Sequence, residues 1–499
     1  MQYYSTRSST GYVSAAEAIL KGLAPDGGLF VPVDKAAPFN IDDLKEKSYR
    51  ELALTLFKPF LSGYTAEEVE DYINGAYSND NFDHRAITPL RQLSSDISVL
   101  ELYHGPTYAF KDIALQVLPY LLTGAIRNTG EKSEVVILTA TSGDTGKSAL
   151  EGFSGVEKTR IIVYYPEKGI SAIQERQMTT QEGSNVAVAA VKGNFDSAQS
   201  GVKAIFSSPV LGKTLEKAGF RLSSANSINW GRLLPQVVYY FSAYLELLRL
   251  GRIRQGEKVN YVVPTGNFGN ILAGYYAKEL GLPVKRLICA ANSNNVLTDF
   301  IRTGVYDSRR ELCQTISPSM DILVSSNLER LLFELTGHDS EKIEDWMTRL
   351  KTSGFYRVDP DTLTILQKHF WSGFADDQKT IRAIKSVYQD YSYLIDTHTA
   401  VGKDVLEQYR SDTGDFAPAV LLATASPFKF SGSVVEALFG QGEYSGRSEF
   451  ELLSILAEKT GCPVPANLVG LEDKNILHGR VIDPDKMESH LLSALGLTG

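Results

Sequence analysis

EVVILTATSGDTGKSALEG, residues 134–152, is the stretch from which the architecture follows. Its first seven residues form a β-branched apolar run, hydroxyls and the glycines Gly143 and Gly146 come next, and a helix-forming stretch closes it. A strand feeding a glycine-containing loop and then a helix is the repeating unit of an α/β sheet. Outward from it, SVLELYH (98–104), RIIVYYP (160–166), NVAVAAVKG (185–193), KVNYVVPT (258–265), VKRLICAAN (284–292) and AVLLATA (419–425) are further short β-branched runs, mostly separated by helical patterns. The expected core is one or two mainly parallel sheets covered on both faces by helices. Ligands of such sheets sit beyond the carboxyl ends of strands, so the turns leaving them are where chemistry is sought.

Five such stretches stand out. The loop at 140–147 offers free N–H groups at a helix start, which suits an anion, but Thr141 stands where a P-loop requires glycine, so an ATPase reading fails. PTGNFGN (264–270) follows a strand and precedes a helix, and the N–H groups around Gly266, Asn267, Phe268, Gly269 and Asn270 could ring a phosphate; a purely structural turn would use the same glycines. ATASPFKF (423–430) ends a strand in the hydroxyls of Thr424 and Ser426, which suit a cleft or only a turn. SSANSINWGRLLPQ (223–236) gathers Asn226, Ser227, Asn229 and Arg232, an arginine fork among amides that fits carboxylate or phosphate, or a solvated cap. In HGPTYAFKD (104–112), Lys111 lies between Phe110 and Asp112, where partial desolvation would favour its neutral, nucleophilic form.

The flanks are different. Residues 1–92 read as mostly helical, with SAAEAILKG (14–22), IDDLKEKSYRELALTLFKPFL (41–61) and TAEEVEDYINGAY (65–77) as helices and a short strand in LAPDGGLFVP (23–32), a packing or lid domain. After 430, SVVEALF, FELLSILAEKTG and MESHLLSAL read as helices of an extension over 431–499, leaving 93–430 as the α/β core. With 499 residues, 43% hydrophobic and 22% charged, the chain can bury a large core, and a net charge of -9 without basic runs excludes a nucleic-acid partner. No apolar stretch reaches membrane-spanning length and the amino terminus lacks a signal-type apolar region, so a cytoplasmic protein without membrane contact is expected. Cys289, Cys313 and Cys462 offer neither a disulfide framework nor zinc spacing, and the seven histidines give no metal spacing, so no metal is expected. His104 and His398 read as satisfied histidines more than as catalysts.

Taken together, YSTR, KGLAPDGGLFVP, HGPTYAFKD, ATSGDTGKSAL, YYPEKGIS, VKGNFD, NSINWGRLLPQ, PTGNFGN, SPSMDI with SNLER, DTHTAVG and ATASPFKF resemble the threonine synthase family, pyridoxal-phosphate enzymes of fold type II. The resemblance implies two mainly parallel-sheet lobes, and pyridoxal 5'-phosphate held as a Schiff base by Lys111, which also moves protons. It implies that the backbone of Gly266 to Asn270 binds the cofactor phosphate and that Thr424 meets the pyridine nitrogen, as a neutral hydroxyl and not as a protonating acid. The activity implied is a lyase reaction turning O-phospho-L-homoserine and water into L-threonine and phosphate, the last step of threonine biosynthesis. Such a substrate needs a second anion site, for which Ser142, Asp144, Thr145 and Lys147 at one loop and Asn226, Asn229 and Arg232 at the other are the candidates. A monomer or homodimer fits equally. The alternatives are a fold type II dehydratase or β-replacement enzyme, a phospho-lyase that releases a keto acid from the same site, and a binding relative without turnover, to which Lys111 would be useless.

Overall fold

In the computed structural model the opening strand runs Glu134–Ala140, and it is an interior strand of a five-stranded sheet, next to one edge. The structure describes residues 1–8, 10–440, 442 and 444–497, with Asp196 described by its backbone alone. The sheet order is Val481–Ile482, Val186–Val191, Thr159–Pro166, Glu134–Ala140, Phe220–Ser223, and all neighbours are parallel. A second sheet has six strands in the order Phe370–Phe374, Val284–Ala291, Val259–Pro264, Ala419–Ala423, Ile97–Glu101, Leu90–Gln92. Every pair in it is parallel except the last, which is antiparallel. Parallel neighbours need long crossovers, and helices such as Asp144–Phe153 and Gly269–Glu279 supply them. Those helices cover the sheet faces, which is why all six residues of Val259–Pro264 are buried.

The flanks depart from the sequence reading in three ways. First, the amino-terminal segment holds a three-stranded antiparallel sheet: Gln2–Ser5 pairs with both Val13–Ser14 and Phe30–Pro32. Only the last of these was expected, because two- to four-residue strands carry too little pattern. Second, the long helical pattern at 41–61 breaks. A 3-10 turn Ile41–Leu44 precedes a helix Tyr49–Phe57 that begins where Ser48 and Glu51 form a capping box. Third, the carboxyl-terminal segment is helical as expected at Ser431–Phe439, Glu449–Thr460 and Met487–Ala494, but Val481–Ile482 adds a strand to the five-stranded sheet. Val434 and Leu456 join the core below the six-stranded sheet, while Met487 and Leu491 join that of the other. This segment thus packs against both lobes.

The carboxyl ends of both sheets face one cleft. Thr141, Ser224, Thr265 and Thr424, each just past a strand end, all line a cavity of about 880 Å³. The amino-terminal segment closes one side of it with Lys21, Ala24 and Leu29. Arg7 adds a wall by pairing with Glu329 through Nε at 2.9 Å and Nη2 at 2.7 Å. Arg330, fully buried, ties three segments together by donating to Phe30 O, Asn327 Oδ1 and Ile228 O at 3.0, 2.6 and 2.5 Å.

Candidate active site

Lys111 begins a short helix, Lys111–Leu115, and the segment before it is pinned to the strand end at 423–426. Phe110 N–H donates to Thr424 O at 2.8 Å, Ser426 N–H to Tyr108 O at 3.1 Å, and Tyr108 takes φ 58° to make the bend. These bonds fix Lys111 beside Thr424. Its amine lies 4.6 Å from the centre of the Phe110 ring, and the residue is 9% exposed. The acid it meets is not its neighbour Asp112, which turns back to accept Thr107 N–H and Oγ–H at 2.8 and 2.7 Å. Lys111 Nζ instead donates to Asp144 Oδ2 at 3.2 Å.

Burial pushes Lys111 below the ordinary lysine range; Asp144 pulls it back up, and Lys429 and Arg232 push it further down. Burial would raise Asp144, but Lys429 and then Lys111 outweigh it and hold the carboxyl well below the usual carboxylate range. The result is a buried amine that gives up its proton more readily than a free lysine, facing a permanent carboxylate.

The loop at 264–270 is shaped for an anion. Phe268, at φ 64°, precedes the helix Gly269–Glu279, and among the described residues the N–H groups of Asn267, Phe268, Gly269 and Asn270 have no acceptor. The carbonyls of Gly266 and Asn267 are tied outward, to Ser325 Oγ and to the N–H and Nδ2 of Asn327. A Cβ at Gly266 would lie 2.9 Å from Ser319 O and Ile322 Cδ1, so only glycine lets SPSMDI approach. Asn270 Oδ1 accepts from Tyr239 and Tyr240, and its buried Nδ2 has no partner. The Thr424 hydroxyl, also in the cavity wall, has no partner among the described residues either. A buried amine, a ring of free N–H groups at a helix start, and a lone hydroxyl are the donor set that pyridoxal phosphate requires, so these residues fit that cofactor.

Of the residues expected at a second anion site, the structure brings together Ser142, Thr145, Asn226 and Arg232 in the cavity wall, with Ser227 beside them. Arg232 is 4% exposed and donates to Ala225 O at 2.8 Å and Thr145 Oγ1 at 3.3 Å. No carboxylate pairs with it among the described residues, and burial pushes its guanidinium down to about 10. The Ser142, Asp144 and Thr145 N–H groups are likewise without acceptors there.

Three expected residues are used differently. Lys147 points away from the cavity and pairs with Glu151 at 2.6 Å and with Gln181, an i,i+4 helix pair winning over the ligand role. Asn229 is a helix cap whose Oδ1 accepts Gly231 N–H at 2.9 Å, while its Nδ2 donates to Ile19 O and Ser224 O at 3.0 Å. The Asp144 carboxylate is saturated by protein donors and is not free for a substrate: Lys111, Lys429 at 2.6 Å, Gln174 at 2.9 Å and Ser319 at 3.1 Å. Lys429, Gln174 and Ser319 were not expected at the site. Neither was His398, which accepts Ser319 N–H at 3.2 Å on Nε2 and, on its other side, bonds Asp396 at 2.7 Å. His104 lies elsewhere, between Asp83 and Glu101 at 2.6 and 2.9 Å.

Comparison with known proteins agrees with this geometry. Residues 2–77 match the family model for the threonine synthase N terminus, 82–368 that for pyridoxal-phosphate dependent enzymes, and 399–478 that for the threonine synthase C-terminal region. Threonine synthase from Pseudomonas aeruginosa is 41% identical over 88% of this chain and 91% of its own length. Threonine synthase-like 1 from Homo sapiens is 40% identical over 85% of this chain, which spans only 58% of that relative's length. The crystal structure of pyridoxal-phosphate-bound threonine synthase from Brucella melitensis superposes with a TM-score of 0.86 over 99% of each chain, at 38% identity. The chain belongs to the threonine synthase family of pyridoxal-phosphate-dependent enzymes.

Proposed function

We propose that the protein converts O-phospho-L-homoserine and water to L-threonine and phosphate. The observation that carries this reading is Arg232, a buried guanidinium that faces the cavity with only uncharged oxygens as partners. A buried cation without a counter-ion is costly, and an anionic ligand removes that cost. The loop at 267–270 already accounts for a cofactor phosphate, so Arg232, with Asn226 and Ser227, is left for a phosphate on the substrate. The helix start at 142–145 offers its N–H groups to the substrate carboxylate. A serine-type β-elimination substrate, which carries a carboxylate alone, would leave Arg232 without a partner.

Bound through Lys111 and the loop at 266–270, the cofactor supplies the electron sink that makes the substrate's α- and β-protons removable. Lys111 does the proton work. Its amine, held on Asp144, takes the α-proton, hands that proton on so that it is a free base again, and then takes a β-proton; the Cγ–O bond breaks and phosphate leaves with the bonding pair. Arg232 receives the charge of the departing phosphate. A proton is then placed on Cγ, water adds its oxygen to Cβ, and a proton returned to Cα completes threonine. Thr424, in the cavity wall, would meet the cofactor's pyridine nitrogen as a neutral hydroxyl, without fixing a charge there. The cavity walls contributed by Leu29, Phe268 and Leu328 limit the water that reaches the reacting carbons. The three cysteines form no disulfide, which supports a reducing, cytoplasmic setting.

Phosphorus NMR of the protein with pyridoxal phosphate and O-phospho-L-homoserine tests this reading. Inorganic phosphate should appear with the wild-type chain and not with Lys111→Ala; a phosphorus signal that stays with the substrate would refute it.

A further inference from the structure

Lys429 is a buried cation that the reaction above does not use. It is the penultimate residue of ATASPFKF, in a 3-10 turn, Pro427–Phe430, just after the strand Ala419–Ala423 of the six-stranded sheet. None of its surface is exposed. Its Nζ lies 2.6 Å from Asp144 Oδ1 and donates to Thr107 O at 2.9 Å. Asp144 follows a strand of the other sheet, so the pair crosses between the lobes.

The carboxylate between them is fully committed. Oδ1 takes Lys429 and Gln174 Nε2, and Oδ2 takes Lys111 Nζ and Ser319 Oγ. Two carboxylate oxygens offer about four lone-pair sites, so turning Asp144 away from Lys111 would break the other three bonds. The remaining charged groups at the centre are few. Arg232 is a further cation acting on Lys111, and Asp112, on which Lys429 also acts, is buried against Thr107 and Ser148. His398 accepts the Ser319 N–H on Nε2 and bonds Asp396 through Nδ1. One carboxylate is thus shared by two lysines, and how firmly it grips one depends on the other.

We propose that Lys429 is a positioning residue: by clamping the Asp144 carboxylate it fixes where that carboxylate holds the Lys111 amine and how tightly it keeps that amine's proton. The inference rests on Lys111 being the reacting amine. It gives two opposite signs. Without the Lys429 charge, Asp144 serves Lys111 alone, and the Lys111 proton is kept to higher pH. Without the Asp144 charge, Lys111 is left facing Lys429 and Arg232, and the proton is lost at lower pH. A residue that only packs the core would produce neither shift.

The experiment uses the full chain freed of cofactor, with no substrate, so that it does not depend on which reaction the enzyme performs. The rate at which an amine-directed acylating reagent modifies Lys111 is followed against pH by peptide mass spectrometry. Lys429→Gln should move the midpoint up by about one pH unit and Asp144→Asn should move it down by about as much, with Lys429→Arg close to wild type. Should Lys429→Gln fail to show folded-state circular dichroism, Asp144→Asn decides alone: an unmoved midpoint overturns the proposal. Equal midpoints in all chains, or shifts of one sign in both charge-removing variants, overturn it as well. Absence of threonine formation with the two opposite shifts present would overturn the proposed reaction and leave the role of Lys429 standing.

Discussion

Lys429 and Arg232 are buried cations that both act on Lys111, and they spend their charge in opposite ways. Lys429 is closed into the protein by Asp144 and a carbonyl, whereas Arg232 has only a carbonyl and a hydroxyl. The first arrangement is complete without a ligand and the second is not. The difference teaches that charge alone does not mark a binding residue; the marker is a buried charge whose own protein leaves it unmatched.

Variants can break or sharpen this contrast, and the largest effect is expected at the amine both cations surround. Lys111→Ala should lower kcat by about 10²–10⁴-fold or more and abolish the cofactor's lysine-bound absorbance band. Lys429→Met strands Asp144 with one cation, and chemical denaturation should record a loss of about 3–5 kcal/mol. Arg232→Met should do the reverse. Denaturation should show stability unchanged or raised, while kcat/KM for the phosphorylated substrate falls about 10- to 100-fold, matching the roughly 1.5–3 kcal/mol of hydrogen bonds to a charged group. If Arg232→Met proves the less stable of the two, the contrast is wrong.

Smaller effects test the cradle and its surroundings. Gly266→Ala forces a Cβ to 2.9 Å from Ser319 O, and titration with pyridoxal phosphate should show affinity weakened by about 1–3 kcal/mol. His104 gives the smallest effect and a pH signature. Burial lowers it, but its bonds to Asp83 and Glu101 raise it from 6.5 to about 9. A raised histidine contributes stability that is whole below pH 6.5 and lost as pH rises through about 9. The stability difference between wild type and His104→Gln should therefore shrink over that window, and a difference that grows with pH would contradict the assignment.

The fold was legible where burial on both sheet faces leaves uninterrupted apolar runs, as in VVIL within EVVILTA and AVLLA, which form strands over 134–140 and 419–423. Short edge strands were not. Leu90–Gln92 and Phe220–Ser223 are three and four residues long, with polar members and no repeating pattern. At the site, the sequence pointed to segments in which a strand end, a glycine and a hydroxyl are neighbours in the chain. It could not separate Asn226, in the cavity wall, from Asn229, a cap three residues on, since capping and ligand binding use the same amide. Lys429, Gln174 and Ser319 meet at Asp144 from three distant segments. Within PFKF a lysine reads as surface; only the tertiary fold encloses it.

The central claim is tested most directly by counting both products of one reaction. The purified protein is supplied with pyridoxal phosphate and O-phospho-L-homoserine, and released phosphate is measured together with threonine. The account predicts the two in equal amounts. Phosphate accompanied by a keto acid in place of threonine, or no phosphate at all, would contradict it.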